Sequence, residues 1–176
     1  MKFNSIIQNL KLLLLLLGLS MLFASCVKEE KKSDRMTGGS LVGVNYTGEG
    51  IQRFSVDNSG GGSIGRYSIS GDYCCTMYPK QWTADLKVEV EWERSDCKGQ
   101  QHLCTIKSAE DNTYPYKVIR KTIPIEQYTE LGRVYLVFLP KDEVKLYISK
   151  VGPINPSFPS KLGFPEEPIQ TQRNKK

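Results

Sequence analysis

Leu86–Glu93, LKVEVEWE, places an apolar residue at every second position: Leu86, Val88, Val90 and Trp92 fall on one side of an extended chain, and Lys87, Glu89, Glu91 and Glu93 on the other. Side chains alternate across a strand, so the stretch predicts a β-strand with one buried and one wet face. The surrounding texture agrees. Between Ser40 and Lys150, short β-branched and aromatic runs such as SLVGVNYT, IQRFSVD, YCCTMY, YKVIRKTIPI, RVYLVFLP and EVKLYISK are separated by Gly, Asn and Asp. Such runs occur at the spacing of an antiparallel sandwich or barrel. The expected fold is all-β: a single antiparallel β-sandwich, Ig-like in character, over residues 40–150.

Val134–Leu139 is apolar on both faces and is expected to be a central strand. EVKLYIS turns Val144, Leu146 and Ile148 inward, and LPKDE before it reads as a tight hairpin connection. Ile125–Gly132, IEQYTELG, is the one segment with a helical look. Ser59–Gly65, SGGGSIG, is expected to be a flexible hairpin loop. It does not read as a phosphate cradle, because no lysine follows the glycines in P-loop register and no helix follows them.

The first 25 residues carry Lys2, Lys11, an apolar core LLLLLLGLSMLF and then Ala24-Ser25-Cys26. That layout predicts an export signal, its core shorter than the roughly 20 apolar residues of a spanning helix. Leu22-Phe23-Ala24-Ser25-Cys26 resembles a bacterial lipobox, which implies acylation of Cys26 and a membrane partner held through that lipid. Val27, not Asp, follows the cysteine; by resemblance to enteric-type sorting this implies the outer membrane, with the protein facing the periplasm. Residues 26–39 are then a charged, flexible tether. Residues 151–176, with five prolines between Pro153 and Pro168, form an extended tail expected to cross the domain through Ile154, Phe158, Leu162 and Phe164.

The formal charge of the 176-residue chain is +5, and two of its lysines belong to the signal. The remainder is mild, which argues against nucleic-acid binding. A monomer is expected.

Lipidation consumes Cys26 and leaves Cys74, Cys75, Cys97 and Cys104 in an oxidising compartment. Cys97 and Cys104 flank a short polar loop, where a cross-hairpin bridge is geometrically natural. Cys74 and Cys75 are adjacent on a candidate strand, so their sulfurs start on opposite faces. A direct bond, a crossed pairing with Cys97 and Cys104, and burial as small apolar thiols all remain open.

His102 is the sole histidine and sits in the loop segment CKGQQHLC. No second group is in place to orient it as a base, so no catalytic residue is assigned and no enzyme is expected. A vicinal cysteine pair grips zinc less readily than a Cys-x-x-Cys turn, so neither a metal nor another cofactor is expected. Glu89, Glu91 and Glu93 share a wet sheet face and read as solvated surface or an acidic interface strip.

Gly38–Thr47 (GGSLVGVNYT), then IQRFSVD, the glycine-rich loop, YCCTMYP, Trp82, LKVEVEW, IPIEQY and VYLVFLPKDEVKLYIS occur in an order that resembles a family of small bacterial lipoproteins defined only as a domain of unknown function. The resemblance covers residues 38–150. Members of that family are often encoded beside type VI secretion phospholipase effectors, which implies an immunity protein that binds and neutralises the lipase. The alternative is a structural or accessory envelope lipoprotein without a toxin partner. Aromatic residues anchor interfaces, so Tyr67, Tyr73, Tyr78 and Trp82, with Tyr46 and the loop residue His102, are the candidate partner-binding residues.

Overall fold

The computed structural model describes residues 35–97 and 114–168. Its strands are β1 (Met36–Asn45), β2 (Ile51–Val56), β3 (Ser59–Gly61), β4 (Ser68–Ile69), β5 (Tyr73–Pro79), β6 (Lys87–Ser95), β7 (Tyr116–Pro124), β8 (Arg133–Leu139) and β9 (Glu143–Ser149). They form two sheets, one ordered β4-β1-β8-β9 with β5 also paired to β1, the other β3-β2-β6-β7. This is an all-β sandwich.

The opening alternation is realised in β6. Val88, Val90 and Trp92 are buried, and the glutamates lie on the outer face. Trp92 and Phe54 from one sheet meet Phe138 of the other edge-on, with ring centroids 5.9 and 5.7 Å apart. Aromatic pairs prefer such geometry, and each ring removes a large apolar area from water. On the outer face Glu93 pairs with Arg53 at 2.8 Å and Glu91 with Arg120. Two of the three glutamates are thus matched across strands, which removes the unopposed acidic strip.

β8 is central, as its two-sided apolar pattern requires. Val134, Leu136 and Phe138 enter the core between the sheets, while Tyr135 and Val137 join Val42, Val44 and Tyr147 in a second layer outside it. The antiparallel expectation meets one exception: β1 runs parallel to β8, Leu41 opposite Val134 through Asn45 opposite Phe138. A parallel neighbour cannot be reached by a hairpin, and here most of the domain's chain intervenes.

The tail seals that second layer. Phe158 is 1% exposed and packs edge-on against Tyr135 at 5.0 Å. Of the four tail residues expected to dock, only Phe158 does so; Ile154, Leu162 and Phe164 are exposed. Turn hydrogen bonds from Asn155 to Gly152, Phe158 to Asn155 and Lys161 to Phe158 fold the proline-rich run into successive bends, so its reach is shorter than that of an extended chain.

Three further expectations change. β1 begins at Met36, four residues inside the segment read as tether, because Met36–Gly39 pair with Pro79–Thr76 of β5. Ile125–Gly132 is not helical: Ile125 bridges Leu146 of β9, and the Glu126 N–H donates to the Leu146 carbonyl. Backbone groups committed to a strand cannot close a helical turn. The glycine-rich segment is partly strand, the hairpin turning instead at Asp57 and Asn58, whose φ values of 45° and 68° suit a two-residue turn.

β5 contains a bulge. Gly39 faces Thr76 and Leu41 faces Tyr73, so three steps on β5 oppose two on β1 across Cys74 and Cys75. The extra residue inverts the side-chain alternation. Tyr73 therefore reaches the same core as Thr76 and Tyr78.

Candidate functional site

The strand end marked by Asn45 gathers the β1–β2 turn, the segment entering β4, the end of β6 and the β8–β9 turn. Together they line an open cleft of about 760 Å³, walled by Tyr46, Tyr67 and Tyr114 and rimmed by Glu49, Arg66 and Lys141.

One buried amide beneath it ties together the loops that line it. Asn45 is 0% exposed; its Nδ2 donates to the carbonyls of Glu49 at 2.8 Å and Gly65 at 2.9 Å. Its Oδ1 accepts from the Thr47 N–H at 2.9 Å and hydroxyl at 2.7 Å. The Tyr67 N–H adds a bond to the Thr47 carbonyl. A fully satisfied amide of this kind holds two loops in one geometry, which lowers the ordering cost of binding.

A second node lies beside it. Arg94 Nε donates to Asp142 Oδ1 at 2.6 Å, and Arg94 is also within 3.6 Å of Glu49 and Asp96. Lys117 Nζ reaches Asp142 Oδ2 at 3.1 Å, and Lys121 Nζ donates to the Asp142 carbonyl at 2.7 Å. Burial disfavours the charge on Asp142, but the hydrogen bonds from Arg94 and Lys117 outweigh it and hold the carboxyl below the ordinary carboxylate value. Burial likewise opposes the Arg94 charge, and the Asp142 hydrogen bond with the charges of Glu49, Asp142 and Asp96 outweighs it, raising its pKa. The node fixes the β8–β9 turn, where Lys141 and Asp142 adopt φ of 64° and 59°. Tyr67 across the cleft has φ 47°. Left-handed backbone at non-glycine residues is uncommon and is held only where neighbours over-determine it.

Tyr46 connects the cleft to the tail. Its hydroxyl donates to the Gly163 carbonyl, in a stretch of the tail where Leu162 and Phe164 are exposed. Burial raises the Tyr46 pKa, the Ser160 hydrogen bond lowering it and Tyr147 adding to the rise; the phenol stays a donor at neutral pH.

The structure divides the residues nominated from the sequence. Tyr67 and Tyr46 line the cleft. Tyr78 is 3% exposed; its hydroxyl donates to the Gly132 carbonyl at 2.7 Å and accepts from the Gly132 N–H at 2.9 Å. Trp82 packs against the core and donates its indole N–H to the Ile125 carbonyl at 2.9 Å. Tyr73 sits edge-on to Phe54 at 6.0 Å. Tyr78 is thus committed to the core, and Tyr73 and Trp82 are half-buried against it, away from the cleft. His102, Cys104 and Cys26 lie outside the described residues. Sequence reading missed Asn45, Arg66, Tyr114 and Lys141; the paired turn signals around NYTGEG and LPKDE were the available hint.

The cysteines also divide. Cys74 and Cys75 are bonded to each other across a cis peptide and both are exposed, so neither is a buried thiol and neither reaches Cys97. Cys97 is itself a disulfide cysteine beside the Tyr114 hydroxyl at 3.6 Å. Its expected partner, Cys104, is not described.

A second groove, of about 670 Å³, runs along the outer face between β4 and the tail, lined by Val42, Ile69, Tyr135, Val151, Pro153 and Ile154 among others, with the Arg133–Asp72 pair at 3.3 Å on its wall. Its charges are already matched.

The family described as protein of unknown function (DUF3304) matches residues 44–146. The chain belongs to this family. The DUF3304 match runs from Val44 in β1 to Leu146 in β9, and so takes in Asn45, both turns around the cleft and the Cys74–Cys75 bulge. No curated protein and no solved structure matches the chain.

Proposed function

We propose that this DUF3304 chain is a lipoprotein acylated at Cys26, held in the outer membrane facing the periplasm, that binds and neutralises a type VI secretion phospholipase effector. The observation that carries a binding role is the cleft itself. Tyrosines and an arginine on loops, held by buried hydrogen bonds to a rigid sandwich, have the composition of an interface centre. The lipobox resemblance supports the anchor, and the resemblance to lipoproteins encoded beside lipase effectors supports the choice of partner.

The test is co-purification of the chain with the lipase encoded beside it, together with survival of lipase-intoxicated cells that express the chain in the periplasm. Stable complex formation and rescue are expected. Failure of both would remove the immunity reading.

A further inference from the structure

We infer that the partner fills the cleft between Tyr46, Tyr67 and Tyr114 with an acidic loop whose carboxylates meet Arg66 and Lys141. The inference rests on the immunity reading for the partner's class and adds the chemistry by which the partner is recognised.

Charge pairing elsewhere in the domain leaves these two cleft-lining cations unmatched among the described residues. Arg53 is matched to Glu93, Arg120 to Glu91, Arg133 to Asp72, Lys145 to Glu126 and Lys150 to Glu130. At the cleft end Arg94 and Lys117 converge on Asp142. Arg66 and Lys141 are exposed on the cleft rim and take part in no ion pair among the described residues. Among the described residues the nearby acids are engaged elsewhere: Glu49 and Asp96 face Arg94. The mouth therefore presents positive charge over a floor whose own charges are compensated, and opposite charge on a partner is steered toward such a mouth.

The rest of the cleft selects a protein segment as the bearer of that negative charge. Three tyrosine walls offer broad amphipathic faces. A bare phosphate would use the cations and leave those walls uncovered. An acidic loop carrying apolar or aromatic side chains uses both. The Asn45 bonds hold Gly65 and Glu49, next to Arg66 and the β1–β2 turn, and Lys141 lies beside the Arg94–Asp142 node. Both charges are thus mounted on backbone ordered before the partner arrives.

The experiment compares the full chain with its Arg66→Glu/Lys141→Glu variant, and with Lys80→Glu/Lys87→Glu, which reverses two exposed lysines away from the cleft. Each is titrated with the purified neighbouring lipase at low and high salt, and unchanged melting temperature certifies each fold. The expected result is affinity at least about tenfold weaker for the cleft variant, with most of its salt dependence gone, and near-normal binding by the Lys80/Lys87 variant. If the wild-type chain binds and the cleft variant binds equally well, the acidic-loop inference is overturned while the immunity reading stands. If the wild-type chain does not bind the lipase, both fall.

Discussion

Asn45 donates through Nδ2 to the Gly65 carbonyl at 2.9 Å, joining the end of β1 to a loop twenty residues further along the chain. The same side chain also satisfies Glu49 and Thr47, so the shape of the cleft depends on one fully buried amide. Replacing Asn45 by Ala leaves the buried Thr47 N–H without its acceptor and removes the donor to the Gly65 carbonyl, while the Glu49 carbonyl keeps the Thr47 hydroxyl. The expected cost is roughly 2 kcal/mol or more, since each orphaned buried group costs about 1–3 kcal/mol. Denaturant titration measures the loss, and hydrogen exchange is expected to accelerate first at Thr47 and Tyr67. Uniform acceleration across β6 and β8 would argue against a local role.

Asp142→Asn separates the charge node from the turn that carries it. The Lys121 bond goes to the Asp142 main chain and survives the substitution; the Arg94 and Lys117 charge pairs do not. A charged hydrogen bond at a partly buried site contributes about 1.5–3 kcal/mol, and the amide recovers part of it, so a loss of about 1–2 kcal/mol at pH 7 is expected. The native carboxyl titrates below its unfolded value. Its contribution is complete above the unfolded pKa of about 3.9 and is lost as pH falls through the lower native value. The stability gap between wild type and Asp142→Asn should therefore close on acidification below about pH 4. A gap that persists unchanged at lower pH would contradict the assignment.

Tyr78→Phe and Tyr67→Ala should behave oppositely. The first removes a hydroxyl that holds both polar groups of Gly132, at a glycine where a side chain would collide with the Ser149 backbone. About 1–3 kcal/mol of stability is expected to go, with partner affinity unchanged in the folded fraction. The second empties one wall of the cleft. Its melting temperature should move little, and partner dissociation should quicken about tenfold or more.

Thr76→Val is expected to stabilise the domain. Thr76 is 2% exposed, and its hydroxyl is buried beside the β5 bulge without a hydrogen-bond partner among the described residues. Valine keeps the shape and removes the stranded polar atom, so a gain of about 1 kcal/mol is expected in thermal or denaturant melts. A loss of that size would show that the hydroxyl has a partner in solution.

Some of this molecule is legible from the chain alone, for a physical reason. β6 and β8 announce themselves because burial on one face, or on both, leaves a period of two in the residues themselves. The parallel pairing of β1 with β8 leaves no such trace, since alternation reports which face is wet and says nothing of the neighbouring strand. Tyr67 and Tyr78 show the same limit at the site. They are chemically identical, and the Cys74–Cys75 bulge decides which residues of β5 enter the core while a loop carries Tyr67 to the rim. Asn45 reads as an ordinary turn former in NYTGEG. Only the convergence of two distant loops makes it a buried anchor. The tail's prolines declare an irregular segment, yet Phe158 rather than Phe164 is buried because Tyr135 and Tyr147 stand opposite it.

The direction of β1 sets how the domain would be presented. Met36 and Asn45 stand at its two ends, and ten residues of strand span about 30 Å. Anything fastened to the chain ahead of Met36 pulls on one pole of the sandwich, and the tyrosine cleft opens at the other. Under the proposed N-terminal anchor, a leash would join the sandwich at the end of β1 opposite the tyrosine cleft, leaving that cleft clear of its own attachment point.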